Sequence, residues 1–199
     1  MKGTIDTIDA ILGFWFGVLD DQGMSTPQQQ KMWFAGGVDI DRQCREQFGD
    51  EVAAAVAGEL GEWAQSDRGL MALVLLLDQF TRNIYRGTPA AFAGDDRALA
   101  LVEEAVAAGR HRRLPIIHQV FLYVPFEHSE SLAVQHAGVA LFDALVARSA
   151  RTEVIGFRDY AMAHRDVIAR FGRFPHRNAI VGRESTPEEV DYLAVHGGF

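Results

Sequence analysis

Hydrophobic positions recur at helical spacing along the whole chain, and the alternating Val, Ile and Thr runs that mark strands are missing. Over 152–171, Val154, Phe157, Tyr160, Ala161, Val167, Ile168 and Phe171 fall on one stripe, as in a helix that covers a core on a single side. The stretch Leu70 to Leu77 is instead apolar almost all round, which suits a central buried helix. Thr26-Pro27-Gln28-Gln29 and Thr186-Pro187-Glu188-Glu189 each combine a capping hydroxyl, a proline at the first helical position and a capping-box partner. Asp39, Asp95 and Ser129 are further N-cap candidates, and Gly61, Gly87, Gly109 and Gly172 suit helix ends. The pattern predicts helices over 5–20, 27–34, 39–60, 67–85, 95–108, 115–124, 130–149, 152–171 and 187–196, hence an all-α fold. With no long Pro, Gly or Ser linker, a single domain over 1–199 is expected.

Polar residues interrupt this pattern at three places. The first follows the buried helix: Asp78 and Arg82 stand at i,i+4 in the order the helix dipole favours, and Asn83 and Arg86 extend the cluster towards Gly87. Guanidinium and carboxamide groups need partners near a core. Arg82 therefore either braces Asp78 and a helix-terminal carbonyl or contributes to a binding site. Arg177-Asn178 repeats the Arg-Asn pair late in the chain, with Gly182 and Thr186-Pro187 echoing Gly87 and Thr88-Pro89, a resemblance that would fit a vestige of duplication.

The second place is Tyr123-Val124-Pro125-Phe126-Glu127-His128-Ser129-Glu130. Pro125 is expected to break the helix and put Glu127 and His128 at or near the N-terminus of the next one. A carboxylate beside an imidazole suits acid-base work, and helix N-terminal amides receive anions. The bland alternative is N-capping by Ser129 with a histidine satisfied in the turn. The third place, Phe174-Pro175-His176-Arg177-Asn178 with Arg183, follows the helix stop at Gly172 and concentrates forked donors suited to carboxylate or phosphate. Surface pairing of Arg177 and Arg183 with Glu184, Glu188 or Glu189 is the competing expectation. His164 lies on the apolar stripe and reads as a core histidine.

A net charge of -8 argues against a broad electrostatic grip on nucleic acid or an anionic bilayer, while leaving room for a focal group of arginines. No run approaches the roughly 18 apolar residues of a membrane span, and Asp6 and Asp9 interrupt the N-terminal segment so that it does not read as a signal peptide. Cys44 is the single cysteine, so an internal disulfide and a thiolate metal cage are excluded, and a cytoplasmic location is expected. Without an obvious activating environment it is taken as an inert thiol. No His-Glu-x-x-His, calcium loop, P-loop, Gly-x-Ser-x-Gly or Gly-x-Gly-x-x-Gly occurs, and neither a metal nor a cofactor is expected. Phe14-Trp15-Phe16 and Trp33-Phe34 read as core aromatics.

Several words together resemble a known family: Phe14-Trp15-Phe16-Gly17, Trp33-Phe34, Leu77-Asp78-Gln79-Phe80-x-Arg82-Asn83, Arg86-Gly87-Thr88-Pro89, Tyr123 to Glu130, Phe171 to Asn178, Gly182-Arg183 and Thr186-Pro187-x-Glu189. The chain is similar to domain-of-unknown-function family 924, a widespread bacterial family. The resemblance implies an all-helical fold like tetratricopeptide arrays, although no clean repeat of that class is visible. Where the family pattern usually has Pro and Phe, this chain has Thr81 and Tyr85. The family supplies no reaction or catalytic residue to carry over.

Two classes of function follow. In the first, Arg82, Asn83, His128, His176, Arg177, Asn178 and Arg183 hold an anionic small molecule or a peptide carboxylate, with Glu127 and Asp78 orienting the donors. In the second, a metal-independent hydrolase uses Glu127 or Asp78 as base and His128 or His176 as acid, with Arg82 and Arg177 stabilising developing charge. A purely structural interaction scaffold, with or without self-association, is the third alternative.

Overall fold

The structure, a computed structural model, describes residues 2–35, 37–149 and 151–198; the side chains of Lys2, Phe34 and Ala35 lie outside the described set, and with Phe34 one of the expected core aromatics. The fold is all-α. Among the described residues no strand forms, and pairing of extended backbone is confined to an isolated antiparallel bridge between Leu19 and Ser25. Contacts divide the chain into two compact units, Met1–Arg86 with Ala90–Pro125, and Gly87–Pro89 with Phe126–Phe199.

The first unit contains α1 (Lys2–Phe16), α2 (Pro27–Ala35), α3 (Val38–Ala57), α4 (Asp67–Val74), α5 (Thr81–Ile84), α6 (Asp95–Ala107) and most of α7 (Ile116–His128). α4 runs through a π-helical stretch, Leu75–Phe80, directly into α5. Every residue from Leu70 to Leu77 is at most 1% exposed, as the all-round apolar run predicts. Each buried leucine contributes about 2 kcal/mol. The wider π turn displaces carbonyls from their ordinary α partners. The Thr81 hydroxyl donates to the Leu77 carbonyl at 2.8 Å, and Arg82 donates to the Asp78 carbonyl at 2.7 Å. Gly94 lies against this stretch so closely that a Cβ would sit 2.2 Å from the Leu77 oxygen. Around the helix, Phe14, Trp15, Phe48, Phe80 and Phe121 meet in edge-on and tilted pairs 5.3–5.9 Å apart.

The second unit contains the end of α7, α8 (Leu132–Ser149), α9 (Thr152–Phe171) and α10 (Pro187–His196). The stripe on α9 behaves as expected in part: Val154, Ala161, Val167 and Ile168 are buried, whereas Tyr160 keeps 42% of its surface. Gly172 closes α9 in the left-handed conformation, at φ 67°. Thr186 and Glu189 form the full capping box that starts α10.

Three local expectations are corrected. α7 does not stop at Pro125 but continues to His128. Interior proline costs about 3 kcal/mol, yet Phe121, Leu122, Tyr123 and Phe126 are all buried, and that burial outweighs the lost hydrogen bond. The Gln135 amide then donates to the Glu127 carbonyl at 2.5 Å and the Ser129 carbonyl at 2.7 Å, satisfying the helix end. Glu127 and His128 thus sit at a helix C-terminus, which attracts cations rather than anions. Gly37 and Gly94, not Asp39 and Asp95, hold the N-cap positions of α3 and α6, which places both aspartates in the first turns. Gly58 rather than Gly61 ends α3, at φ 89°.

Candidate functional site

In the first unit, the Asp78 cluster is an ion-pair network. Arg82 grips Asp95 through two parallel bonds of 2.9 and 3.0 Å and lies 3.5 Å from Asp78 Oδ1. Burial pulls the Arg82 guanidinium down, but the charges of Asp78 and Asp95 more than offset it and hold Arg82 above its ordinary pKa. Asp78 is 1% exposed and also accepts from the Gln79 amide at 2.6 Å. Asn83 and Arg86 both donate to Asp41, at 2.8 Å and at 2.7 and 2.8 Å. The Arg86 bond holds the Asp41 carboxyl below its usual range against burial, with Asn83 assisting. Arg82 therefore ties Asp78 and a backbone carbonyl, as the brace expectation requires, and adds Asp95, which sequence reasoning missed.

In the second unit, Phe174 is a fully buried hub ringed by basic groups. The His164 ring meets it edge-on at 5.6 Å, the His176 ring at 5.6 Å, and the Arg177 guanidinium lies 4.4 Å above its centroid. His128 lies 6.1 Å from His164. Glu127, 4% exposed, brings a carboxylate oxygen to 3.7 Å from His164 Nδ1. His164 Nδ1 is 2.9 Å from the Tyr160 carbonyl. Since a carbonyl only accepts, Nδ1 carries the proton and Nε2 the lone pair. Burial first, then the charges of His128, Arg177 and His176, pull His164 down to about 3, so it is neutral near pH 7. Partial burial and the negative charge of Glu127 push the Tyr160 phenol up. His164 is a core histidine, as expected, but its position against Glu127 was not legible in the sequence. One carboxylate, three imidazoles and a guanidinium can orient an anion and shuttle a proton.

Beside this group, Asn178 and Arg183 are engaged elsewhere. Arg183 forks onto Glu130 at 2.6 and 2.9 Å, and Glu130 also accepts the Phe174 N–H at 2.9 Å. The expected pairing of Arg183 with Glu184, Glu188 or Glu189 does not occur. Glu188 takes Arg170, Glu189 takes Arg173, and Glu130 is brought to Arg183 from the α7–α8 connection. Asn178 donates to Ser185 at 3.0 Å and to Glu189 at 3.2 Å. Arg173, against the cost of burial, and the Thr186 N–H draw Glu189 down to about 2.

The other signals are quickly placed. Cys44 is buried, and burial followed by the Asp41 charge pushes its thiol up to about 12, which suits the inert role. Among the described residues no group of three His, Cys, Asp or Glu side chains is placed to hold a metal ion, and no helix is long and apolar enough to cross a membrane. An open depression of about 530 Å³ in the first unit is lined by Thr4, Thr7, Asp50, Glu51, Leu60 and Trp63 among others, and by none of the candidate residues.

The fold has a counterpart. The structure of a protein of unknown function, ATU0120 from Agrobacterium tumefaciens, is similar, with a TM-score of 0.81 and 35% identity over 96% of this chain and 98% of that one. No protein of curated function matches the chain. Residues 11–197 match the family described as "Bacterial protein of unknown function (DUF924)", and the chain belongs to that family.

Proposed function

We propose that the second unit binds an anionic small molecule or a peptide carboxylate through His128, His176 and Arg177, with Glu127 and His164 orienting the donors. The observation that carries this reading is the gathering of two imidazoles and one guanidinium about the buried Phe174 ring, with a third imidazole, His128, beside His164 and a buried carboxylate next to that histidine. Guanidinium and imidazole N–H groups gathered in this way are those that recognise carboxylate and phosphate. His164, held neutral by burial, adds no charge of its own to the group. Asp78, Arg82, Asn83, Asn178 and Arg183 take structural roles in this reading, because Arg82 and Gln79 already engage Asp78 and carboxylates of the chain engage the other four. A tetratricopeptide-like arrangement of the helices and a cytoplasmic location belong to the same proposal.

The test is a thermal-shift panel of phosphate, di- and tricarboxylates and short peptides. A ligand selective for the native form raises the melting temperature with concentration. The shift should vanish in Arg177→Met while helicity is retained; no shift from any anion in the unmutated protein overturns the proposal. The 3.7 Å approach of Glu127 to His164 favours one second reading, metal-independent hydrolysis with that pair moving the proton. Turnover of generic ester, amide or phosphate substrates that is lost in Glu127→Gln would select it.

A further inference from the structure

The path of the chain after α10 bears on His176. Arg170 covers the rings of Phe171 and Tyr192, and Tyr192 in turn stacks on His196 at 4.6 Å, so the last turn of α10 is held against α9. Gly197 then adopts φ 68° and ψ -156°, a region open essentially to glycine, and turns the backbone away from the helix axis. Gly198 comes to rest on His176: a Cβ there would lie 2.7 Å from the histidine Cβ, 2.8 Å from Cγ and 3.4 Å from Cδ2. The contact runs along the carbon edge of the side chain. Any side chain added at 198 would collide with the first atoms of the histidine side chain.

We propose that Gly198 is a positioning residue: the Gly197–Gly198 backbone forms a strap that fixes the direction of the His176 imidazole and so sets the reach of the anion site. This rests on the binding role proposed above for His176. A side chain at 198 would push the imidazole aside or lift the strap, and either change misplaces the ring without touching Arg177.

The experiment uses the full-length protein with Gly198→Val, and Gly198→Ala as the milder variant should valine disturb folding. Labelling of His176 by diethyl pyrocarbonate, read by mass spectrometry against the exposed His136 of the same chain, reports freedom of the ring independently of any ligand. We expect labelling about fivefold faster in the variant, since reaction follows the population of released conformers. Inorganic phosphate should bind about tenfold more weakly, and His176→Ala should abolish the further effect of Gly198→Val, as for two residues acting through one contact. Unchanged His176 labelling overturns the strap, whether or not phosphate binds. Equal weakening by Gly198→Val in the His176→Ala background also overturns it, because the effect would not pass through the imidazole. If phosphate neither binds nor protects His176 in the unmutated protein, the binding proposal fails, and labelling alone then decides the strap.

Discussion

Arg82-Asn83 and Arg177-Asn178 are the same two residues after an apolar helix, yet the two units treat them differently. In the first unit both side chains meet carboxylates: Arg82 takes Asp95 and Asp78, and Asn83 takes Asp41. In the second, Asn178 is tied to Ser185 and Glu189, but Arg177 lies across an aromatic ring among imidazoles. A guanidinium matched by carboxylates completes a network and holds the helix end. One laid over a ring among imidazoles, with Glu130 feeling its charge, is the arrangement the proposed anion site draws on. Under that proposal, the identity of the residue does not separate brace from site; the groups packed on it do.

Five measurements break or sharpen this contrast. The largest effect is expected from Gly94→Ala, because the new Cβ would meet the Leu77 oxygen at 2.2 Å in the centre of the first unit. Overpacking against fixed backbone should cost about 4 kcal/mol in urea unfolding. Arg82→Met comes next: it leaves buried Asp78 and half-buried Asp95 without their cation and should cost about 3 kcal/mol. A loss below about 1 kcal/mol would place Arg82 among ordinary surface pairs and dissolve the distinction.

The third is a pH experiment. An unfolded imidazole titrates near 6.5, whereas burial holds His164 at about 3 and His118, in the first unit, at about 4. Below pH 6.5 the unfolded chain therefore binds protons that the folded chain refuses. Stability is full above that pH and falls as pH descends towards 4, by about 3 kcal/mol for each histidine. Urea midpoints at pH 7, 5.5 and 4.5 should show the fall, and His164→Gln and His118→Gln should each remove one share of it.

Arg177→Met is fourth, expected to cost about 2 kcal/mol, the value of a buried cation over a ring, while removing the anion response. A loss equal to that of Arg82→Met would make both arginines braces. Last, Gly156→Ala on α9 meets nothing within 4 Å and should stabilise by about 0.5 kcal/mol, the control for the clash at Gly94.

The features legible in the sequence are those fixed by neighbours along the chain. The buried run Leu70 to Leu77, the Thr186–Glu189 box and the glycine end of α9 each depend on a few adjacent residues, and each is found. Partners chosen by tertiary packing were out of reach. Asp95 lies 13 positions from Arg82, Asp41 lies 42 from Asn83, and Glu130 lies 53 from Arg183; several other carboxylates were equally eligible on paper. Pro125 misled for the same reason, since a local rule predicted a break that long-range burial of Phe121, Leu122 and Phe126 overrode.

The π stretch at Leu75–Phe80 has one last consequence. An α-helix advances about 100° per residue, so a wider turn that takes up one more residue re-phases everything beyond it. Leu70 to Leu77 can then be enclosed on every side while, a few residues later, Arg82 faces Asp95 and Asn83 faces Asp41. Rewinding the same residues as an ordinary α-helix would swing the azimuth of Arg82 by about a quarter of a revolution and point its fork away from both acids. Deleting a single residue removes the one the wider turn takes up, so ordinary winding then returns with Arg82 still turned towards them.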